Sequence, residues 1–188
     1  MKNIIIGGVV RSGKSTLSAR LVKEFNYSLF ESDSVVHAFN EVFPELGITH
    51  KKPELTRENY KPFLYVLLNG NLKSLKYHNI VTVFPGSQFL PRHLADYDKI
   101  NNHIVIFLGT NAPSAEELKN EIRKHDSDGD WTRKVDDEWL ISHCEKVIKE
   151  SIDLKEECEK YCFYYFDTTF NRESVFEEII KLIKNSQE

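Results

Sequence analysis

Residues suited to binding phosphate lie near the start of the chain. Positions 8–15 read Gly-Val-Val-Arg-Ser-Gly-Lys-Ser, directly after an apolar run and before residues with the apolar spacing of a helix. A strand that turns into a helix through such a loop leaves several backbone N–H groups unpaired near the positive end of the helix dipole. The pattern therefore predicts that this glycine-rich loop (residues 8–16) binds phosphate.

Each residue type in the glycine-rich loop suits a nucleoside triphosphate. Gly8 and Gly13 permit backbone conformations and close approaches that a side chain would hinder. Lys14 can reach the β- and γ-phosphates, and the Ser15 hydroxyl can bind the Mg²⁺ that accompanies ATP or GTP. A chance glycine-rich turn is the alternative. The predicted nucleotide-binding residues of the loop are Gly8, Arg11, Ser12, Gly13, Lys14, Ser15 and Thr16.

Two acidic residues end the next apolar segment. Residues 27–33 are interpreted as a second strand, and the two-residue period of a strand puts Glu31 and Asp33 on the same side. Ligands of open parallel sheets bind at the carboxyl ends of the strands. Both acids are therefore candidates for the site, although Asp33 could instead only cap the helix that follows.

Composition limits the classes of protein that fit. A length of 188 residues predicts one domain with appended lids, and a net charge of −4 disfavours nucleic acid as an obligate partner. The apolar run near the N-terminus is too short for a signal segment or a membrane span, so we expect a cytoplasmic protein without a membrane partner. The three cysteines are expected to be reduced thiols.

The rest of the chain alternates predicted strands with predicted helices. Apolar runs at residues 3–7, 80–84, 104–108 and 163–166 are typical of buried parallel strands. Ser114 and Glu117 form a capping box that starts a helix running to about residue 125. Helices are also predicted at about residues 17–25, 35–43, 88–97, 137–161 and 175–183.

A helical insertion is predicted at about residues 44–77. Its helix begins at about Thr56 and is interrupted at residues 69–71, which read Asn-Gly-Asn. This is a natural place for an arm that covers a substrate, and Arg57 is a polar candidate on it, although a solvated helix face also explains Arg57. The third strand ends at Pro85-Gly86-Ser87, where Gly86 would let a substrate lie against the backbone.

In this order the elements resemble the small P-loop kinases, the group that includes the nucleoside monophosphate kinases and the shikimate kinases. The resemblance covers nearly the whole chain, although only the glycine-rich loop is highly specific. It implies an α/β fold, the P-loop NTPase three-layer sandwich. It further implies a five-stranded parallel sheet of order 2-3-1-4-5, helices on both faces and a lid at about residues 123–137.

The resemblance also implies roles for residues around the acceptor. Glu31-Ser32-Asp33 is similar to the acid-Ser-acid end of the second strand in shikimate-kinase-like proteins, which implies an outer Mg²⁺ role for Glu31 and an acceptor-holding role for Asp33. Arg57 stands where those kinases place an arginine on the substrate's anionic group. The chain departs from them at residues 84–87, where shikimate kinases carry a run of glycines, so the resemblance does not extend to shikimate itself.

Further implied roles concern the nucleotide. Arg123 and Arg133 flank an acidic segment as lid arginines that clamp phosphates, and ordinary solvated arginines are the alternative. The acids of that segment do not form a calcium loop, because its glycine falls at the fourth position rather than the sixth. Asp167 and Thr168 resemble the loop that touches the adenine ring.

Together these features predict an ATP-dependent, Mg²⁺-assisted kinase that transfers the γ-phosphoryl group to a hydroxyl or phosphate oxygen of a small molecule. Lys14 and one or both of Arg123 and Arg133 would stabilise the transferred charge, and Asp33 would orient an acceptor hydroxyl. Two alternatives remain open. One is a nucleotide-binding regulator with little transferase activity, and the other is a toxin-like or nucleic-acid-end kinase.

Overall fold

A five-stranded parallel sheet forms the centre of the fold. In the computed structural model, which describes residues 2–74, 79–84 and 89–186, every strand pair is parallel and the order is β2-β3-β1-β4-β5. This confirms the predicted strand order. The strands are β1 (Asn3–Gly8), β2 (Ser28–Glu31), β3 (Ile80–Val83), β4 (His103–Gly109) and β5 (Tyr164–Asp167).

Helices cover both faces of the sheet, with short 3₁₀ turns at Pro44–Leu46, Ile100–Asn102 and Trp131–Lys134. Ser114 caps one helix as predicted, since its Oγ accepts a hydrogen bond from the Glu117 N–H. The helices are α1 (Lys14–Phe25), α2 (Ser32–Val42), α3 (Pro53–Ser74), α4 (Pro91–Ala95), α5 (Ala115–Lys124), α6 (Asp137–Tyr161) and α7 (Arg172–Asn185).

The apolar run of β1 divides between two hydrophobic cores. Ile4 and Ile6 point to one face of the sheet, where they belong to a core with residues of α1 and α7. Ile5 points to the other face, into a core with residues of α2, α3, α5 and α6. All three isoleucines are fully buried, as expected for a central strand covered on both sides. The three-layer sandwich is thereby confirmed.

The second strand is shorter than predicted. It ends at Glu31, which is the N-cap residue of α2, and Asp33 lies in the first turn of that helix. The prediction that Glu31 and Asp33 share one side of a strand is therefore wrong. β2 is an edge strand with four paired residues, and the buried Ser32 and Val36 draw the following residues into helix α2 against the core.

Helix α3 is longer and more regular than predicted. It begins at Pro53 and continues through residues 69–71, where the sequence predicted an interruption. Tyr60, Leu64 and Leu68 are fully buried at four-residue spacing along this helix. Their packing outweighs the low helix propensity of glycine, which costs only about 1 kcal/mol. Of the predicted helix at 88–97, residues 89–97 are described, and they contain the short α4, which begins at Pro91.

The three cysteines are free thiols, of which Cys144 and Cys158 are buried and Cys162 is exposed. Among the residues that the structure describes, no helix is both long enough and apolar enough to cross a bilayer.

Candidate functional site

The two glycines of the glycine-rich loop occupy positions with no room for a side chain. A Cβ on Gly8 would lie 2.0 Å from the carbonyl oxygen of Leu108 on β4, and the φ of Gly8 is +133°. Gly13 is the N-cap of α1 with a φ of +86°, and its Cβ would lie 2.9 Å from the Phe176 ring on α7. Both glycines are therefore required by backbone conformation and by packing against neighbouring elements.

Lys14 folds back into the glycine-rich loop. Its Nζ donates hydrogen bonds to the carbonyl oxygens of Val9, at 2.6 Å, and of Gly8, at 3.2 Å. The side chain is buried, and this burial lowers the pKa of Lys14 to about 7, while the negative charge of Asp33 acts in the opposite direction. Burial thus works against the charged form of Lys14, and an anion bound nearby would favour it.

A large cavity opens beside the glycine-rich loop. Its volume is about 1080 Å³, which is ample for a nucleotide. Ser15 and Thr16 are exposed to it at the start of α1, where backbone N–H groups of a helix attract anions. Across the cavity lie residues of the end of α5 and of the start of α7. The predicted loop residues that line it are Arg11, Gly13, Lys14, Ser15 and Thr16.

Hydrogen bonds from the side chains of Ser12 and Thr168 hold the backbone of the glycine-rich loop. The buried Ser12 hydroxyl donates to the Val9 carbonyl at 2.8 Å. Thr168 follows β5, is also buried, and its Oγ1 donates to the Ser12 carbonyl at 2.8 Å. The Asp167 carboxylate accepts hydrogen bonds from the backbone of Asn111 and from Thr169. Neither Asp167 nor Thr168 is among the described residues that line the cavity, but Asp167 holds Thr169, which does, and Thr168 holds the glycine-rich loop.

Residues just beyond Thr168 border the cavity and were not identified from the sequence. They are Thr169, Asn171 and Arg172. The Arg172 guanidinium donates to the Arg11 carbonyl at 3.2 Å, and burial together with the positive charge of Arg11 lowers the pKa of Arg172. Its position at the first turn of α7, directly after the loop that follows β5, was the available signal for a cation near the cavity.

Arg11 joins the glycine-rich loop to the acidic segment (residues 126–130). Its two terminal nitrogens lie 2.6 Å from a carboxylate oxygen of Asp126 and 2.6 Å from one of Asp130. Hydrogen bonds from the Ser127 N–H and from Arg11 lower the pKa of Asp130 to about 2. This contact draws the acidic segment over the edge of the cavity, which Asp130 also lines.

The two arginines that flank the acidic segment differ in how firmly they are held. Arg123 donates to the carbonyl oxygens of Thr132 and Val135 and pairs with Asp137. Arg133 pairs with the fully exposed Asp128. Neither Arg123 nor Arg133 is among the described residues that line the cavity.

Asp33 lies beside two histidines that sequence analysis did not associate with it. The Nε2 of His50 is 3.0 Å from one carboxylate oxygen, and the Nε2 of His37 is 3.7 Å from the other. Burial lowers the pKa of His50, the charge of Asp33 opposes this, and His37 adds to the lowering. Glu31 is exposed at the end of β2.

Arg57 does not line the cavity beside the glycine-rich loop. It lines a cavity of about 500 Å³ together with Arg92 and with acidic residues of α6. Burial and the positive charge of Arg92 lower the pKa of Arg57. The described residues around this cavity include neither Asp33 nor any residue of the glycine-rich loop. Gly86 lies outside the described residues.

The sheet order and the glycine-rich loop between β1 and α1 define the fold of the small P-loop kinases. Solved structures with this fold superpose along nearly the whole chain. No protein-family model matches the sequence, and no curated protein sequence matches it.

Three of these structures illustrate the likeness. A shikimate kinase from Bacteroides thetaiotaomicron gives a TM-score of 0.60 at 15% identity, with 97% of this chain and 98% of that chain covered. A shikimate kinase from Acinetobacter baumannii in complex with shikimate gives a TM-score of 0.57 at 15% identity, with 99% of this chain and 94% of that chain covered. A deoxyadenosine kinase from M. mycoides with bound dATP gives a TM-score of 0.51 at 20% identity, with 98% of this chain and 100% of that chain covered. At these identities the likeness establishes the fold.

Proposed function

We propose that this protein is an ATP-dependent phosphotransferase that moves the γ-phosphoryl group of the nucleotide to a small-molecule acceptor. The observation that carries the proposal is the geometry of Lys14. It is buried in a glycine-rich loop at the mouth of a cavity of about 1080 Å³, and the charge of Asp33 acts on it. Phosphoryl transfer requires this combination of an anion cradle, a mobile cation and a nearby acceptor-orienting group.

The chain supplies several groups for the triphosphate. The backbone N–H groups at the start of α1 would hold the phosphates, and Lys14 would leave its carbonyl partners to bind the β- and γ-phosphates. Mg²⁺ prefers oxygen ligands. The exposed Ser15 hydroxyl would supply one oxygen, and Glu31 would supply another from the end of β2, which is two strands away from β1 in the sheet. Bound Mg²⁺ would neutralise charge on the phosphates.

Arginines complete the positive surroundings. Arg11 and Arg172 border the cavity, so they are the arginines best located to stabilise charge as the γ-phosphoryl group is transferred. Neither lid arginine is among the described residues that line the cavity, and of the two we assign a share of this role to Arg133 rather than Arg123. The exposed pair of Arg133 with Asp128 costs little to break, whereas Arg123 would lose two backbone hydrogen bonds and its Asp137 partner. Thr169 and Asn171 would contact the nucleoside.

The acceptor would bind next to Asp33. A carboxylate there would hold an acceptor hydroxyl and take its proton as the new P–O bond forms. One solved structure of this fold contains shikimate and another contains dATP, which supports a small-molecule acceptor. Arg57 lines another cavity, which includes neither Asp33 nor the glycine-rich loop among the described residues. The assignment of the acceptor therefore depends on Asp33 alone.

The decisive experiment measures ATP consumption with Mg²⁺ in the presence of a panel of small hydroxyl and phosphate acceptors. We expect at least one acceptor to increase consumption well above the slow hydrolysis seen without it, and Lys14→Ala to abolish this increase. Lys23→Ala is the matched control, because Lys23 is an exposed lysine on the same helix. Consumption that no acceptor increases, and that is equal in both variants, would contradict the proposal.

A further inference from the structure

Asp33, His37 and His50 form a cluster with the chemistry of a transition-metal site. The Nε2 atoms of the two histidines face the two oxygens of the same carboxylate, at 3.0 and 3.7 Å, and the imidazole rings lie 4.6 Å apart. One ligand atom from each residue lies within 4.8 Å of the other two. The three donors therefore converge on one small volume.

The three donors lie close to the spacing that a metal ion requires. Zinc binds imidazole nitrogen and carboxylate oxygen at about 2.0–2.2 Å, which puts the ligand atoms of a tetrahedron about 3.4 Å apart. The separations of 3.0 Å from His50 and 3.7 Å from His37 end on different oxygens of the Asp33 carboxylate, and one ligand atom from each residue lies within 4.8 Å of the other two. Rotation of these partly exposed side chains would be needed to bring one ligand atom from each residue to bonding distance of the same ion.

The backbone holds the three residues in place. Asp33 and His37 are one turn apart on α2, so their side chains lie on the same face of the helix. His50 follows Thr49, whose N–H donates to the Oγ1 of the fully buried Thr56 at 2.8 Å. The Thr56 hydroxyl in turn donates to the Thr49 carbonyl at 2.7 Å. Asp33 and His37 thus stand on α2 itself, and His50 lies in a turn that Thr56 ties to α3, which favours a preorganised site.

We propose that Asp33, His37 and His50 bind a divalent transition metal of the zinc class, with a fourth position open to solvent. Two imidazoles and one carboxylate favour Zn²⁺ or Co²⁺ over Mg²⁺, which prefers oxygen ligands alone. The site is thus chemically distinct from the Mg²⁺ that would accompany ATP. All three side chains are at least one-third exposed, so a metal ion can enter.

One consequence rests on the proposed function. If Asp33 orients the acceptor hydroxyl, a metal ion bound to its carboxylate either recruits an acceptor that can fill the fourth position or displaces the acceptor. Metal binding itself does not depend on that function, and it can therefore be measured separately.

The test uses the full, untagged chain and Co²⁺, whose visible absorption reports tetrahedral coordination, with Zn²⁺ as a competitor and excess Mg²⁺ present. We expect one Co²⁺ per chain, displaced by Zn²⁺, and a weakening of at least about tenfold in His37→Gln and in His50→Gln. His143→Gln serves as the control, because His143 stacks on Trp139 rather than facing Asp33. Circular dichroism establishes that each variant is folded.

Cys162 is an exposed thiol and therefore the competing soft ligand. Cys162→Ser should leave the stoichiometry and the spectrum of the Co²⁺ complex unchanged. The proposal is overturned by the absence of stoichiometric Co²⁺ binding, by binding that survives the double variant His37→Gln/His50→Gln, or by binding that is lost in Cys162→Ser.

Discussion

The Nζ of Lys14 lies 2.6 Å from the carbonyl oxygen of Val9, so the lysine of the glycine-rich loop is held by the backbone of that loop. Its pKa is lowered to about 7, because burial disfavours the charged form more than the charge of Asp33 favours it. A triphosphate bound beside it would reverse this balance. Nucleotide binding and protonation of Lys14 should therefore be coupled.

The first prediction is proton uptake on binding. At pH 8.5 free Lys14 is mostly neutral, whereas the complex requires it charged, so close to one proton is taken up per nucleotide and affinity falls by up to about tenfold per pH unit above 7. Calorimetry in two buffers of different ionisation enthalpy measures this. Lys14→Met should show no such uptake, and equal heats in the two buffers for the unmodified chain would contradict the prediction.

The second prediction concerns the stability of the nucleotide-free protein. The folded pKa of Lys14 is about 7 and its ordinary value is 10.5, so between these pH values the unfolded chain binds more protons than the folded one. Lys14 therefore destabilises the fold below pH 7, and this cost is relieved by up to about 1.4 kcal/mol per pH unit as the pH rises toward 10.5.

Lys14→Met should remove that cost. We expect it to raise the free energy of unfolding at pH 6.5 by a few kcal/mol, with the advantage over the unmodified chain shrinking as pH rises. Urea denaturation at several pH values measures the difference. Lys23→Met replaces an exposed lysine and should show no such trend. A pH-independent difference for Lys14→Met would refute this account.

The third prediction is a catalytic loss in Asp33→Asn. If the acceptor is a hydroxyl, removing the proton-accepting carboxylate should reduce kcat at least about a hundredfold, as general-base roles typically do. Nucleotide affinity should change far less than kcat, since Asp33 does not line the nucleotide cavity and acts on Lys14 only through its charge. Steady-state kinetics with the acceptor found in the panel measure both quantities. Full activity in the variant would remove Asp33 from the acceptor site.

The fourth prediction concerns the contact between Arg11 and the acidic segment. The Asp126 side chain is only 2% exposed, so Arg11→Ala would leave a buried carboxylate with only Arg123, 3.5 Å away, as a cation partner among the described residues. We expect a loss of about 1–3 kcal/mol and faster amide hydrogen exchange at residues 126–133. Arg133→Ala breaks an exposed pair and should cost less than about 1 kcal/mol. Equal losses in the two variants would argue against a structural role for the Arg11 contact.

The fifth prediction concerns Thr168. Its hydroxyl ties the segment after β5 to the Ser12 carbonyl, and Thr168→Val would leave that buried carbonyl without this donor. A loss of about 1–3 kcal/mol in unfolding free energy is expected, together with a higher KM for the nucleotide. Thr168→Ser keeps the hydroxyl and should retain most of both. Thermal denaturation and kinetics of Thr168→Val and Thr168→Ser distinguish the effect of losing the hydrogen bond from the effect of losing the methyl group.

The parts of this protein that short-range spacing governs could be predicted. The glycine-rich loop, the N-cap at Ser114 and the long α6 each depend on residues a few positions apart, so their patterns are visible in the chain itself. The strand order followed from the resemblance of the whole succession of elements to a known fold. The errors fell at boundaries, where packing chose between strand and helix at Asp33 and carried α3 through Gly70.

The sequence by itself determined the glycine-rich loop, because strand, glycines, lysine and helix are contiguous and their roles follow from residue type. Only the tertiary structure decided which distant residues join it. Arg11 meets Asp126 across 115 positions, and Arg172 reaches the Arg11 carbonyl across 161. Likewise His50 reaches Asp33 because α3 returns to pack beside α2. Such contacts depend on how whole helices pack, and no local pattern of residue types specifies that packing.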